Sequence, residues 1–266
     1  MNPGIERDSV TAVLQNKRVW LVHIVANALL FVAFFYWLQV KEETGTLFAV
    51  SVVGGLLVLF CALLLHGGTF AYFREGSGSS FLSAVRRVLP RLPWLLLWTI
   101  VFGAVLWLIA QLWTYDAQAG GWARHVLPEF LRKRVSPRTM ISASTDMVWL
   151  LFFFVAPIVF LPMGSCTASF GLRGMFSSGA WRPVREWRFW IVYTVCFVVG
   201  AYVPYKLANM TPAKASALSA QTWSMVIRLG IGYLLIVTVW LVLCAAIAHA
   251  TADPKSERQA EPTPVA

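Results

Sequence analysis

Three histidines, one isolated arginine and four cysteines are the side chains of this sequence best placed to do chemistry in an apolar setting. His23, His66 and His249 each stand near one end of a long apolar run. Imidazoles held at one depth can ligate a metal ion or a haem iron. No HxxxH or comparable spacing joins any two of them on one helix face, however. A histidine at an interface is readily satisfied by water or a carbonyl, which is the expectation here, with no metal and no cofactor. Cys61, Cys166, Cys196 and Cys244 lie in or beside apolar runs and show no CxxC spacing. They are expected to be small packing residues with reduced thiols.

Of 22 Lys and Arg and 12 Asp and Glu residues, Arg228 alone falls inside an apolar run. A charge at mid-membrane costs about 2.5–3.5 kcal/mol on the insertion scale, and less toward the interface. Snorkelling of Arg228 to the outer headgroups on its long stem is the expectation. The alternative is an intramembrane ion pair with Asp146, or with Asp116. His66, Arg74 and Glu75 are the only residues resembling a nucleophile or acid/base cluster at one interface. The sequence holds no Walker loop, HExxH or GxSxG motif. Nor does any apolar run contain Asp or Glu, which a proton-driven carrier usually places within its spans.

The elements that must position these side chains are six apolar runs, approximately 19–40, 47–65, 93–113, 147–163, 189–205 and 225–248. At about 1.5 Å rise per residue, about 20 residues cross a hydrocarbon core about 30 Å thick. The composition is 58% hydrophobic and 13% charged, and six apolar helices would have no polar face to show water. The fold class expected is therefore all-α: a polytopic membrane helix bundle of about six transmembrane helices with short amphipathic in-plane helices. The first run ends in "YWLQVKEETG" with no small-x-small cleavage site, so it should remain as a span rather than a removed signal. Residues 1–18 form a polar cytoplasmic segment, 19–252 the membrane domain, and 253–266 a tail too poor in apolar surface to order itself. No stretch between runs is long enough for an independent soluble domain. Pro157, Pro162 and Pro204 remove backbone donors and can kink their spans. Several glycines permit close helix approach.

The formal net charge is +10. In a membrane chain this excess points to anionic headgroups rather than to nucleic acid, because Lys and Arg collect at cytoplasmic loops. Counting cations with the amino terminus inside favours cytoplasmic amino and carboxyl termini, against the opposing charge of Arg124, Arg132, Lys133, Arg134 and Arg138 in the third outer loop. The bias is statistical, so the side of the 114–146 connection stays open. In "SSFLSAVRRVLPRL" the apolar residues recur at helical spacing while Arg86, Arg87 and Arg91 take the other side, and Ser79 or Ser80 can cap the start. "WARHVLPEFLRKRV" repeats the pattern with Arg132, Lys133 and Arg134. Both are expected to lie in the headgroup plane, and Arg182, Arg185 and Arg188 form a third basic surface.

A shift of 96 residues lays the segment beginning at Gly68 on the one beginning at Gly164. Gly68 then meets Gly164, Gly78 meets Gly174, Ala84 meets Ala180, Arg86 meets Arg182, Val88 meets Val184 and Trp94 meets Trp190. A parallel repeat over 67–110 and 163–205 is one reading, and shared apolar composition is the other. The stretch "REGSGSSFLSAVRRVLPRLPWLLLWTIVFGAVLWL" resembles the recurring unit of bacterial multi-pass membrane domains, among them the membrane domain attached to some glycerophosphodiester phosphodiesterases. The likeness lies in a Gly-rich start, a small basic amphipathic helix and an aromatic-led span. Where that domain accompanies an enzyme, catalysis belongs to a soluble partner domain, so the resemblance implies an accessory membrane protein and carries over no catalytic residue.

Three function classes follow. The first is a non-enzymatic accessory or assembly protein of a bacterial cytoplasmic membrane, with lipids and a membrane protein as partners. The second is a transporter or channel-like protein for an apolar or lipid-like cargo, which needs no buried carboxylate. The third is a lipid-acting membrane enzyme built on His66, Arg74 and Glu75.

Overall fold

A computed structural model of the chain describes residues 11, 13, 15–75, 80–210 and 218–252. The tail 253–266, most of the segment before Asn16, and Gly78 of the sequence echo lie outside the described residues. Thirteen α-helices cover most of the rest, and no strand occurs among the described residues. They are α1 (Lys17–Leu38), α2 (Gly45–Glu75), α3 (Phe81–Val88), α4 (Leu92–Gln111), α5 (Asp116–Val126), α6 (Glu129–Arg132), α7 (Pro137–Leu150), α8 (Ala156–Phe170), α9 (Leu172–Met175), α10 (Ser178–Arg185), α11 (Trp187–Phe197), α12 (Val203–Asn209) and α13 (Leu218–Ala250). Joined where they run on without a break, they make six helical stretches long and apolar enough to cross a membrane: Lys17–Leu38, Gly45–Glu75, Phe81–Val126, Pro137–Phe170, Trp187–Asn209 and Ser219–Thr251. The chain is an all-α, multi-pass membrane protein.

Two prolines leave a local signature. Residues Leu151–Val155 and Val198–Tyr202 form π-helical turns, each ending shortly before a proline, Pro157 and Pro204. A proline ring clashes with the carbonyl four residues back and offers it no N–H. Widening the preceding turn relieves that clash, so the span continues as a bulge rather than a break. Pro162 sits fully enclosed within α8.

The chain divides into two compact units, residues 97–161 and the remainder. Within the smaller unit, Phe102 stacks between Trp98 and Phe160 with ring centroids 5.6 and 5.0 Å away, and Trp98 Nε1 donates to the Phe160 carbonyl. Helix α5 packs on α7 through Gly120, where a Cβ would lie 2.8 Å from Ile141 Cα. The Thr145 hydroxyl donates to Asp116 across that contact at 2.8 Å. The amphipathic helix expected over "WARHVLPEFLRKRV" is broken at Leu127–Pro128, because the residue before proline is driven to extended backbone. Trp122, Val126 and Phe130 are left exposed.

In the larger unit α1, α2 and α13 pack on one another. Polar side chains tie them at several depths: Trp20 Nε1 donates to Thr238 Oγ1 at 3.0 Å, Trp37 Nε1 to the Ser51 carbonyl at 2.7 Å, and the Tyr233 hydroxyl to the Ile24 carbonyl. Such donors inside hydrocarbon have no water to turn to, so a partner on the next helix is strongly favoured. Helix α3 starts on Ser80, whose hydroxyl accepts from the Ser83 N–H. Its apolar face is divided: Ala84 and Val88 are fully enclosed against α2, while Leu82 and Leu89 stay exposed, as the in-plane expectation requires of a lipid-facing side. Gly67 and Gly68 make the seat, since a Cβ there would meet Val88 Cγ1 at 3.1 Å and Val85 Cγ2 at 2.5 Å. Helix α10 is a second eight-residue basic helix, capped by Ser177.

Candidate functional site

The polar groups of the larger unit concentrate at one end, where α1 begins, α2, α8 and α13 end, and α3 and α10 lie alongside. Two clusters share the carboxyl end of α2. The first surrounds His23. Both His23 and Thr69 are fully buried. The Asn27 amide nitrogen lies 2.9 Å from the His23 carbonyl oxygen and 3.2 Å from its Nδ1. An amide N–H₂ donates only, so Nδ1 is the acceptor and Nε2 carries the hydrogen that reaches Thr69 Oγ1 at 2.6 Å. Thr69 passes its own hydrogen to the Leu65 carbonyl at 2.7 Å. This directed chain of donors leaves neither nitrogen of His23 free. His66 stands beside it, ring centroids 5.9 Å apart, and its Nδ1 accepts from the Trp240 indole at 3.0 Å. Phe81 and Tyr72 close the cluster from α3 and α2, and Asn16 holds the Tyr72 hydroxyl.

The structure thus brings two of the three sequence-flagged histidines together. Each is engaged with protein groups, and no set of three or more His, Cys, Asp or Glu side chains able to hold a metal is found among the described residues. The trio His66, Arg74 and Glu75 does not converge: His66 turns to Trp240, Glu75 pairs with Arg87, and Arg74 reaches α13.

Arg74 centres the second cluster. Its Nη2 donates to the Thr251 hydroxyl and approaches Cys166 Sγ at 3.7 Å, and its guanidinium carbon lies 5.1 Å over the Phe170 ring. The Nε and Nη1 atoms are enclosed and have no hydrogen-bond partner. Ser165, one residue before Cys166, is fully buried with its hydroxyl oxygen likewise unpartnered. The two glutamates of this end are held by other arginines, Glu75 by Arg87 and Glu186 by Arg182 at 3.2 Å, with the second Glu186 oxygen enclosed and unpartnered.

The backbone here is shaped by Gly171 and Gly174. Gly171 has φ of 65°, which only glycine adopts freely, and Trp94 covers it so closely that a Cβ would lie 3.2 Å from the indole. This turn directs the chain out of α8 into α9, whose Gly174 presses on the Cys166 carbonyl. A Cβ on Gly179, in the first turn of α10, would lie 3.2 Å from the Thr251 carbonyl oxygen.

The remaining flagged cations separate by environment. Arg91 donates to the Ala168 carbonyl at 3.0 Å and Arg182 to the Ala252 carbonyl at 3.1 Å, so both half-buried side chains cap helix ends. Arg86 and Arg185 are exposed, and Arg188 stacks on Trp187. In the smaller unit Lys133 pairs with Glu129 at 2.9 Å, Arg134 is exposed and Arg132 half-buried. Arg228 donates to the carbonyls of Ser224, Leu207 and Met210, closing the carboxyl end of α12. Asp146 is exposed and belongs to the other unit.

Asn27, Thr69, Trp240 and Thr251 escaped the sequence reading. Their partners lie on other helices or are shared with them, and a single Asn or Thr in or just beyond an apolar run carries no spacing signal. No family model, curated protein or solved structure matches the chain.

Proposed function

We propose that this chain is a non-enzymatic accessory or assembly protein of a bacterial cytoplasmic membrane, with both termini facing the cytoplasm. The supporting observation is the way its chemistry-bearing side chains are committed. His23, His66, Glu75, Arg91, Arg182 and Glu186 each bond another group of the same chain, so they brace helices against one another. A catalytic cluster would instead present an acid, base or nucleophile toward a cavity. Arg86 and Arg185, exposed on α3 and α10, are the groups offered to anionic headgroups or to a partner.

Cross-linking in intact membranes, followed by separation in mild detergent, tests this reading. The chain is expected to leave the membrane with one partner protein in a fixed ratio, and charge reversal at Arg86 and Arg185 is expected to reduce that yield. Recovery of the chain alone from cross-linked membranes would overturn it. One observation favours the second reading, a carrier of lipid-like cargo: Arg74 holds unmet hydrogen-bond donors at a span end. Uptake or flip of a labelled lipid by vesicles containing only this chain would support that alternative.

A further inference from the structure

We propose that Arg74 anchors a binding site for a phosphate group, carried by a lipid headgroup or by a soluble phosphate compound. The inference does not depend on the accessory role, because it concerns what the isolated chain binds.

A guanidinium is always charged and has only donors to offer. Taking it out of water without an anion is costly, and buried charges in proteins are paired as a rule. Arg74 is half-buried and has no carboxylate partner among the described residues. Its contacts are a hydroxyl, a thiol and an aromatic face, and two of its nitrogens are enclosed without any acceptor. The glutamates that could have neutralised it are taken by Arg87 and Arg182. Within residues 66–92 and 164–190 eight arginines stand against those two glutamates, so the surplus at this end is strongly cationic. An anion with several acceptor oxygens is the complement of this arrangement. Phosphate suits it better than a carboxylate, because it brings more negative charge to this cationic surplus and more acceptor oxygens.

Depth points the same way. Helix α2 has 31 residues and so runs about 46 Å, about 16 Å more than the hydrocarbon thickness. Arg74 follows the apolar stretch ending at Leu65 by nine residues, or about 13 Å of helix, which takes it clear of the hydrocarbon core to the side where phosphate groups, of headgroups or in solution, are met. The buried, unpartnered Ser165 hydroxyl beside Cys166 supplies a further polar group in this part of α8.

The test uses the full chain, delipidated in a non-ionic detergent, and reads binding together with thermal unfolding. Three probes are titrated: inorganic phosphate, dioctanoyl phosphatidic acid, and dioctanoylglycerol, which has the same tails without phosphate. Saturable binding with a raised Tm is expected for phosphatidic acid and not for dioctanoylglycerol. Protection by inorganic phosphate as well would place a soluble phosphate compound within reach, and protection by the lipid alone would assign the site to headgroups; both support the proposal. Arg74→Gln is expected to weaken binding by about tenfold to a hundredfold, the factor for hydrogen bonds to a charged group. Should that variant fail to fold, Arg74→Lys keeps the charge and loses the fork, and is expected to weaken binding by about tenfold. Equal protection by dioctanoylglycerol, undiminished binding by a folded Arg74 variant, or no protection of the wild-type chain by any probe would each overturn the site.

Discussion

Alanine at Gly174 should damage the end of the molecule that holds Arg74, and the structure sets the size of the effect. A Cβ on Gly174 would lie 2.5 Å from the Cys166 carbonyl carbon, closer still to its oxygen, and 3.1 Å from the Thr167 nitrogen. Ordinary contacts of carbon with such atoms begin near about 3.4 Å, so α8 and α9 must part by about 1 Å. The obstruction is helix backbone, which cannot rotate aside as a side chain does. Overpacking costs about 1–3 kcal/mol, and a backbone clash belongs at about 3 kcal/mol. At about 2–4 °C per kcal/mol for a chain of this size, Tm should fall by about 6–12 °C. Gly230 provides the control: it lies in α13, and a Cβ there meets nothing within 4 Å. Its replacement by alanine removes the helix penalty of glycine, about 0.5–1 kcal/mol, and should raise Tm by about 1–4 °C. The measurement is thermal unfolding of purified protein in one detergent, tracked by tryptophan fluorescence. Opposite signs are required. If Gly174→Ala melts with or above the wild type, α9 does not press on α8, and the seating of Cys166 beside Arg74 goes with it.

Four further outcomes follow from the same contacts. Thr69→Val leaves His23 Nε2 buried without an acceptor and should cost about 1–3 kcal/mol; combining it with His23→Leu should cost less than the two single changes summed, and strict additivity in a double-mutant cycle would refute the coupling. Arg228→Leu should insert normally yet expose the 205–210 amides to faster hydrogen exchange, because the carbonyls of Leu207 and Met210 lose their donor; unchanged exchange would mean that arginine does not close α12. Ser80→Ala and Ser177→Ala each delete a helix cap and should each lower stability by about 1 kcal/mol, read as a Tm drop of about 2–4 °C. Arg86→Cys and Arg185→Cys should both react with an impermeant thiol reagent from the same side of sealed vesicles, and labelling from opposite sides would contradict the shared end of α3 and α10.

The spans were legible because hydrocarbon tolerates almost no charge, so apolar runs mark the stretch of each helix that must avoid water. The helix ends were not, since hydrogen bonding continues past the point where apolar residues stop. Helix α2 runs ten residues beyond Leu65, the last residue of its apolar run, and those ten residues carry Thr69, Tyr72 and Arg74. The polar ties were hidden for a different reason. His23 and Thr69 are separated by 46 residues and His66 and Trp240 by 174, and periodicity within one helix is blind to such pairings. Pattern was incomplete at α3: its apolar face reads as wholly lipid-facing in sequence, but the Gly67–Gly68 pair opens a seat on α2 for Val85 and Val88 and leaves only Leu82 and Leu89 exposed. A glycine pair with no GxxxG spacing gave no warning of that.

The two basic helices separated by the 96-residue shift show how similar segments come to different ends. Ala84 and Ala180 coincide under the shift and are both fully enclosed. Their surroundings differ. Helix α3 lies against the span that precedes it. Helix α10 is preceded by the glycine turn at Gly171 and the short helix α9, and takes up its position beside the end of α13. The carboxyl end of α8 lies beside Arg74, so the guanidinium of the first segment meets Cys166 and Phe170 of the second. Neither segment alone encloses the arginine. The enclosed donors depend on how α8 is joined to α10, and a variant that deletes residues 172–175, and with them the whole of α9, should expose Arg74 to water and abolish any phosphate-dependent protection. Retention of that protection after the deletion would show that Arg74 is enclosed by something other than the α8–α9 turn.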